Sequence, residues 1–221
     1  MNEVKAFVFD FDGTLSYTDE FIVRTMMEAF KNILNKDLTV EEIINNYGPS
    51  EEGVILNILD KDEEKAKLVF DEYLKLYKVN HDKYDKEIDP IFYEIFENIK
   101  KNNFKLIVLT GRSEKTLNIS LDQFKIRKYI DSYYFGSVLG VNKPDSFKKL
   151  EEDNEISNDE IVYFGDSKND IKSCLEAKVK LYSVTYYNKN QEEEIKKLNP
   201  NVITSLDELK EVVNKLILEN K

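Results

Sequence analysis

Asp10 and Asp12 stand one residue apart behind an apolar run, Val4 to Phe9, and Gly13-Thr14-Leu15 follows at once. An apolar, β-prone run of that length reads as a buried parallel strand. Carboxylates just past the C-terminal end of such a strand lie where open α/β sheets bind ligands. Two negative charges that close repel each other, so a positive charge is expected between them. Mg²⁺ suits the position, since one or two carboxylates hold it while it bridges to a substrate phosphate. Gly13 lets the backbone turn sharply out of the strand. The plainer alternative is an Asp-Gly turn with both acids solvated.

Two later apolar runs end in comparable residues. Phe104 to Leu109 leads into Thr110-Gly111-Arg112, and Ile161 to Phe164 into Gly165-Asp166-Ser167-Lys168-Asn169-Asp170, with Lys143-Pro144 between them. Taken singly, Thr-Gly-Arg fits a helix N-cap, Lys-Pro an exposed turn and the last run a solvated loop. In a parallel sheet, however, the strand ends converge on one edge, so the ordered set can share a site.

Strands that could hold these groups alternate with amphipathic segments. Helices are predicted at 90–103, 113–124, 144–153, 168–178 and 206–218, and further strands at 133–138, 181–185 and 202–204. Such alternation implies a parallel sheet with helices on both faces. Between the first strand and this series, residues 17–85 read as helix throughout. Segments 19–34, 51–59 and 62–79 are helical, and Thr39 with Glu42 forms a capping box opening one that runs to about 46. Phe70, Tyr73 and Tyr77 read as core of that block. His81 lies in a lysine-rich segment and is expected to be exposed, whereas Cys174 is expected to be a small buried apolar residue.

The 221-residue chain is long enough for one core domain with a small second one. With 41% hydrophobic and 34% charged residues, 7 Gly and 4 Pro, it has the composition of a soluble globular protein. A net charge of −11 argues against nucleic acid and against an anionic membrane surface as partner. The single cysteine fits a reducing cytosol. No stretch is as long as a membrane span, and the first apolar run is broken by Asp10 and Asp12, unlike a signal peptide.

These residues resemble the motifs of the haloacid dehalogenase (HAD) superfamily, most of whose members are phosphohydrolases. Asp10, Asp12, Gly13, Thr14 and Leu15 match the first motif, Thr110 the second, Lys143-Pro144 the third, and Gly165, Asp166 and Asp170 the fourth. A helical insertion after the first motif is similar to the cap of phosphoglycolate phosphatase-like and β-phosphoglucomutase-like members. The chain departs from their pattern at Tyr17-Thr18 and at Ala177-Lys178. The resemblance implies a Rossmann-like α/β core at 1–16 and 86–221 with an all-helical cap at 17–85.

It further implies a cytoplasmic, Mg²⁺-dependent phosphatase acting on a small phosphorylated metabolite, with monomer and dimer both open. Asp10 would be the nucleophile that becomes an aspartyl-phosphate. Asp12 would be the acid and base, which calls for a raised pKa. Thr110, Gly111 and Lys143 would hold the phosphoryl group. Asp10, the Asp12 carbonyl and Asp166 would bind the metal, with Asp170 touching it directly or orienting its waters. From the cap, Tyr17, Arg24 and the turn 47–53 are candidates for substrate contacts, Arg24 for a second anionic group. A phosphosugar mutase and a pyrophosphatase are the alternatives. A dehalogenase would need no acid at position 12. A phospho-accepting receiver would lack the helical insertion, and a non-catalytic binder on the same fold would not need the full set of catalytic residue types.

Overall fold

Every residue of strand β1 (Ala6–Phe9) is fully buried because the strand has neighbours on both sides and helices on both faces. The computed structural model describes residues 3–48, 50–84, 87–140 and 143–220. After β1 come α1 (Asp19–Leu34), α2 (Val40–Ile44), α3 (Glu51–Ile58) and α4 (Glu63–Tyr84). Helix α5 (Pro90–Lys101), β2 (Lys105–Leu109), α6 (Glu114–Gln123), β3 (Ser132–Tyr134) and α7 (Lys143–Asn154) follow. The chain ends with β4 (Ile161–Gly165), α8 (Lys168–Ala177), β5 (Lys180–Val184), α9 (Glu192–Leu198), β6 (Val202–Ile203) and α10 (Leu206–Glu219). The six strands form one parallel sheet in the order β3-β2-β1-β4-β5-β6, a Rossmann-like arrangement.

Side chains of β1 alternate between two cores. Phe7 and Phe9 pack with Phe92 and Phe96 of α5, with α10, and with Phe164 of β4. Ala6 and Val8 face the opposite side with Phe147 of α7, Cys174 of α8 and Ile195 of α9. The apolar strands are continuous rather than alternating because both faces are covered. β1 pairs with β2 and β4 in register, Phe9 opposite Val108 and Phe164, so the three strands end level and present their polar residues at one edge.

Helices α1, α3 and α4 enclose a third apolar cluster that includes Met26, Phe30, Ile55, Phe70, Tyr73 and Tyr77. His81 corrects the sequence reading. Helix α4 runs to Tyr84 instead of stopping near 79. His81 therefore falls on the same stripe as Tyr73 and Tyr77, at i, i+4 and i+8. It is buried against Phe21 and Phe124, with Nε2 3.1 Å from the Ser120 hydroxyl. Helix α9 was not expected, since its seven residues are charged except for Ile195 and Leu198. The expected boundary at 85/86, and Pro49 in the turn 47–53, lie outside the described residues. None of the helices is long and apolar enough to cross a membrane, among the described residues.

Candidate active site

Asp10 is the first residue beyond β1, and its amide still donates to Phe164 O across the ladder (2.8 Å). The Leu15 and Ser16 amides then fold back on Phe11 O at 2.8 and 3.2 Å, a turn that passes through Gly13 at φ +68°. A Cβ on Gly13 would lie 2.1 Å from Asp166 Oδ2. Glycine is therefore required twice, by the left-handed backbone and by the close passage of the β4 loop. That passage brings Asp166 up to Asp10.

Ligand oxygens of Asp10, Asp166 and Asp170 all lie within 4.8 Å of one another. Lys143, at the start of α7, reaches into the group: Nζ donates to Asp10 Oδ2 (2.7 Å), Asp170 Oδ1 (2.5 Å) and the Tyr163 hydroxyl (2.9 Å). Ser167 Oγ and N donate to Asp170 Oδ2 at 2.6 and 2.9 Å, so Asp170 is held on both oxygens. Burial opposes the charge of Asp170, but the Lys143 ammonium and these bonds hold it below the usual carboxylate range. Asp10 is pushed up to about 7, by burial first and the neighbouring Asp170 charge next, against the pull of Lys143. Burial and the charges of Asp170 and Asp10 drive Asp166 well up.

Three carboxylates thus share one ammonium. The charge left over and the all-oxygen donor set fit a hard divalent cation of the Mg²⁺ class. Asp10 and Asp166 are the residues that would hold it. Asp170, fully buried and bonded to Lys143, Tyr163 and Ser167, would orient them from behind.

Asp12 is placed differently from Asp10. Arg112 grips it with Nε on both oxygens (2.9 and 2.8 Å) and Nη2 on Oδ1 (2.6 Å), while Thr18 Oγ1 donates to the same Oδ1. Burial works against the charge, yet the guanidinium and the Thr18 bond outweigh it and hold the Asp12 pKa down. This direction is opposite to the raised pKa that the acid's role calls for. Arg112 is buried, stacked 4.3 Å over the Phe11 ring, with Nη1 on Tyr77 OH and on Ser120 Oγ (2.7 Å). Sequence reading treated Arg112 as part of a strand end, and Tyr77 only as helical core.

A cleft of about 300 Å³ lies between the sheet edge and the helical block, reaching Asp10, Asp12, Gly111, Arg112, Lys143 and Asp166. Thr110 is buried beside it and borders an adjoining depression that shares Lys143. Arg24 is not brought into the cleft. It is exposed on α1, paired with Glu20, beside a shallow hollow that also includes Tyr17. Of the turn 47–53, Tyr47, Gly48 and Glu51 reach the cleft. Glu51 also ties the block down, accepting from Ser113 N (2.7 Å) and Thr116 Oγ1 (2.6 Å). Ser50 N adds a bond to Ser137 O (2.9 Å).

The sequence profile of the haloacid dehalogenase-like hydrolases matches residues 7–184, from the strand before Asp10 to the end of β5. The chain belongs to this family. PpaX of Clostridium perfringens is 28% identical over 185 residues, covering 83% of this HAD hydrolase and 85% of that protein. The pyrophosphatase PpaX of Bacillus cereus (strain B4264) is 24% identical over 185 residues, with coverage of 83% and 84%. Among solved structures, a family IA, variant 3 HAD hydrolase from Entamoeba histolytica aligns over 97% of this chain and all of that one. Its TM-score is 0.77 at 23% identity. CbbY from Rhodobacter sphaeroides, solved with phosphate, covers 82% of this chain and 86% of its own, with a TM-score of 0.67 at 17% identity. These structural likenesses show the shared fold.

Proposed function

We propose that this HAD hydrolase is a cytoplasmic phosphatase that hydrolyses a small phosphate ester through an aspartyl-phosphate on Asp10. The observation that carries the reading is the cluster of Asp10, Asp166 and Asp170, with the Lys143 ammonium bridging Asp10 and Asp170, at the C-terminal edge of a parallel sheet. Asp10 Oδ1 accepts from Phe11 N (2.7 Å), which orients the carboxylate for attack on phosphorus. Attack breaks the bond from phosphorus to the leaving oxygen, and water attacking the acyl phosphate later frees Asp10. Lys143 balances charge on the phosphoryl oxygens, and Thr110 and Gly111 close that side. A Mg²⁺ held by Asp10, Asp166 and the Asp12 carbonyl would supply charge neutralisation for nucleophile and phosphate together. The helical block at 17–85 serves as the cap, fastened by Glu51, and limits the site to small substrates.

Asp12 is the acid and base on this reading. Its ionised form, clasped by Arg112 and Thr18, is the form that accepts a proton from attacking water. Protonating the leaving group requires that Asp12 take up a proton once substrate enters, with Arg112 still beside it. Arg112 acts through Asp12 and is a positioning residue. Arg112→Met is expected to lower kcat about 10²-fold, with a much smaller change in KM. An equal rise in KM would make Arg112 a substrate anchor instead.

The direct test of the function is phosphate release from a panel of phosphomonoesters and pyrophosphate, with Mg²⁺ and with a chelator. Metal-dependent release is expected, and no release from any compound would overturn the reading. Pyrophosphate belongs in the panel because the Bacillus cereus relative is named a pyrophosphatase.

A further inference from the structure

Opposite the catalytic cluster, the wall of the cleft is built by the helical block. Its contributors are Asp19, Ile22, Met26, Tyr47, Glu51 and Val54, with the backbone of Gly48 between them. Two of these side chains are acidic and none is cationic, among the described residues. Among the described residues, the only cations lining the cleft are Arg112 and Lys143. Each is already committed to carboxylates, Arg112 to Asp12 and Lys143 to Asp10 and Asp170. Arg24, the cap cation nearest in sequence to these wall residues, pairs with Glu20 at the exposed face of α1.

The remote wall is also partly apolar, with Ile22, Met26 and Val54 beside the two acids. Burial raises the pKa of Glu51 and, together with the Asp12 charge, that of Asp19. Arg112 is the cation that acts on both carboxylates, and it is bonded to Asp12. A substrate's second anion would be desolvated on this wall with no uncommitted cation to receive it, an arrangement that disfavours it.

Resting on the phosphatase reading, we infer that this cleft selects phosphate monoesters whose leaving group carries no second anionic charge. Neutral polyols and amino alcohols fit such a wall, with methylenes against Ile22, Met26 and Val54 and hydroxyl or ammonium groups toward Asp19 and Tyr47. Pyrophosphate, whose leaving group is phosphate, and phosphoglycolate, whose leaving group is a carboxylate-bearing alcohol, are disfavoured. Asp19 is the specificity-determining residue with the simplest chemistry, since the structure gives its carboxylate no structural bond that substitution would break.

The test compares kcat/KM for glycerol phosphate and phosphoethanolamine with that for phosphoglycolate and pyrophosphate at fixed free Mg²⁺. It is repeated with Asp19→Asn, and the binding order is measured by calorimetry on Asp10→Asn, where turnover does not intervene. Neutral and cationic leaving groups are expected to exceed the anionic ones by about 10-fold or more, one acidic wall contributing of that order. Asp19→Asn is expected to narrow the gap severalfold, by raising the anionic values and by lowering that for phosphoethanolamine, whose ammonium faces Asp19. Preference for pyrophosphate or phosphoglycolate, or equal binding of all four esters, would overturn the inference while leaving the phosphatase standing. Release from none of them would overturn both.

Discussion

Asp10→Asn is expected to reduce phosphate release by about 10⁴-fold or more while leaving the fold intact. The amide keeps the size of the carboxylate, so the packing behind β1 is unchanged, and its one oxygen can still accept from either the Phe11 amide or the Lys143 ammonium, which bond different oxygens of Asp10. What disappears is the nucleophile. Asp10 is already pushed up to about 7, by burial foremost and then by Asp170, so removing its charge also relieves repulsion within the cluster. The melting temperature is therefore expected to stay within a few degrees of the parent's, or to rise. Activity is read by phosphate release, and the covalent step by intact mass after rapid acid quench, where the parent should carry one phosphoryl group and Asp10→Asn none. Full activity in Asp10→Asn would remove Asp10 from the nucleophile's role. Lost activity with the phosphoryl group still attached would place that role on a different residue.

The sheet was legible in the sequence because its strands are buried on both faces, which leaves unbroken apolar runs such as Phe7-Val8-Phe9 and Ile161 to Phe164. Acids at fixed positions behind those runs were legible for the same reason, since the end of a central parallel strand can point to few places. What could not be read was pairing across long separations. Arg112 meets Asp12 from 100 residues away, and Glu51 meets Ser113 from 62. An arginine after Thr-Gly and a glutamate in a first helical turn are ordinary residues in sequence, and only the folded chain turns them into a clasp and a latch. The first of these holds the Asp12 carboxyl below the usual carboxylate range, where the acid's role called for a raised one. Tyr163 is similar: as a strand aromatic it promises only core, yet its hydroxyl meets Lys143 and Asp170. His81 was misread because the lysine-rich composition around it concealed a helix that continues for one more turn.

Lys143→Met is expected to destabilise the protein by about 3–5 kcal/mol, the largest stability effect of any single change at the site. All three donors of the ammonium are used, on Asp10, Asp170 and Tyr163, and the side chain is almost wholly buried. Methionine fills the space of the lysine stem but leaves Asp10, Asp166 and Asp170 facing one another without a cation. For a chain of this length the loss corresponds to a melting temperature lower by roughly 10 °C, measured by calorimetry in chelator. Adding Mg²⁺ is expected to return part of that loss, because a cation bound at Asp10 and Asp166 restores positive charge to the same cluster. The cause is isolated by a double-mutant cycle with Asp170→Asn. Taking away one carboxylate lessens the repulsion that Lys143 was holding in check, so the double variant should be more stable than the sum of the two single changes predicts. Strict additivity would mean that Lys143 stabilises by packing alone. A coupled result would show that the ammonium is the charge that makes a buried cluster of three acids tolerable before any metal or substrate arrives.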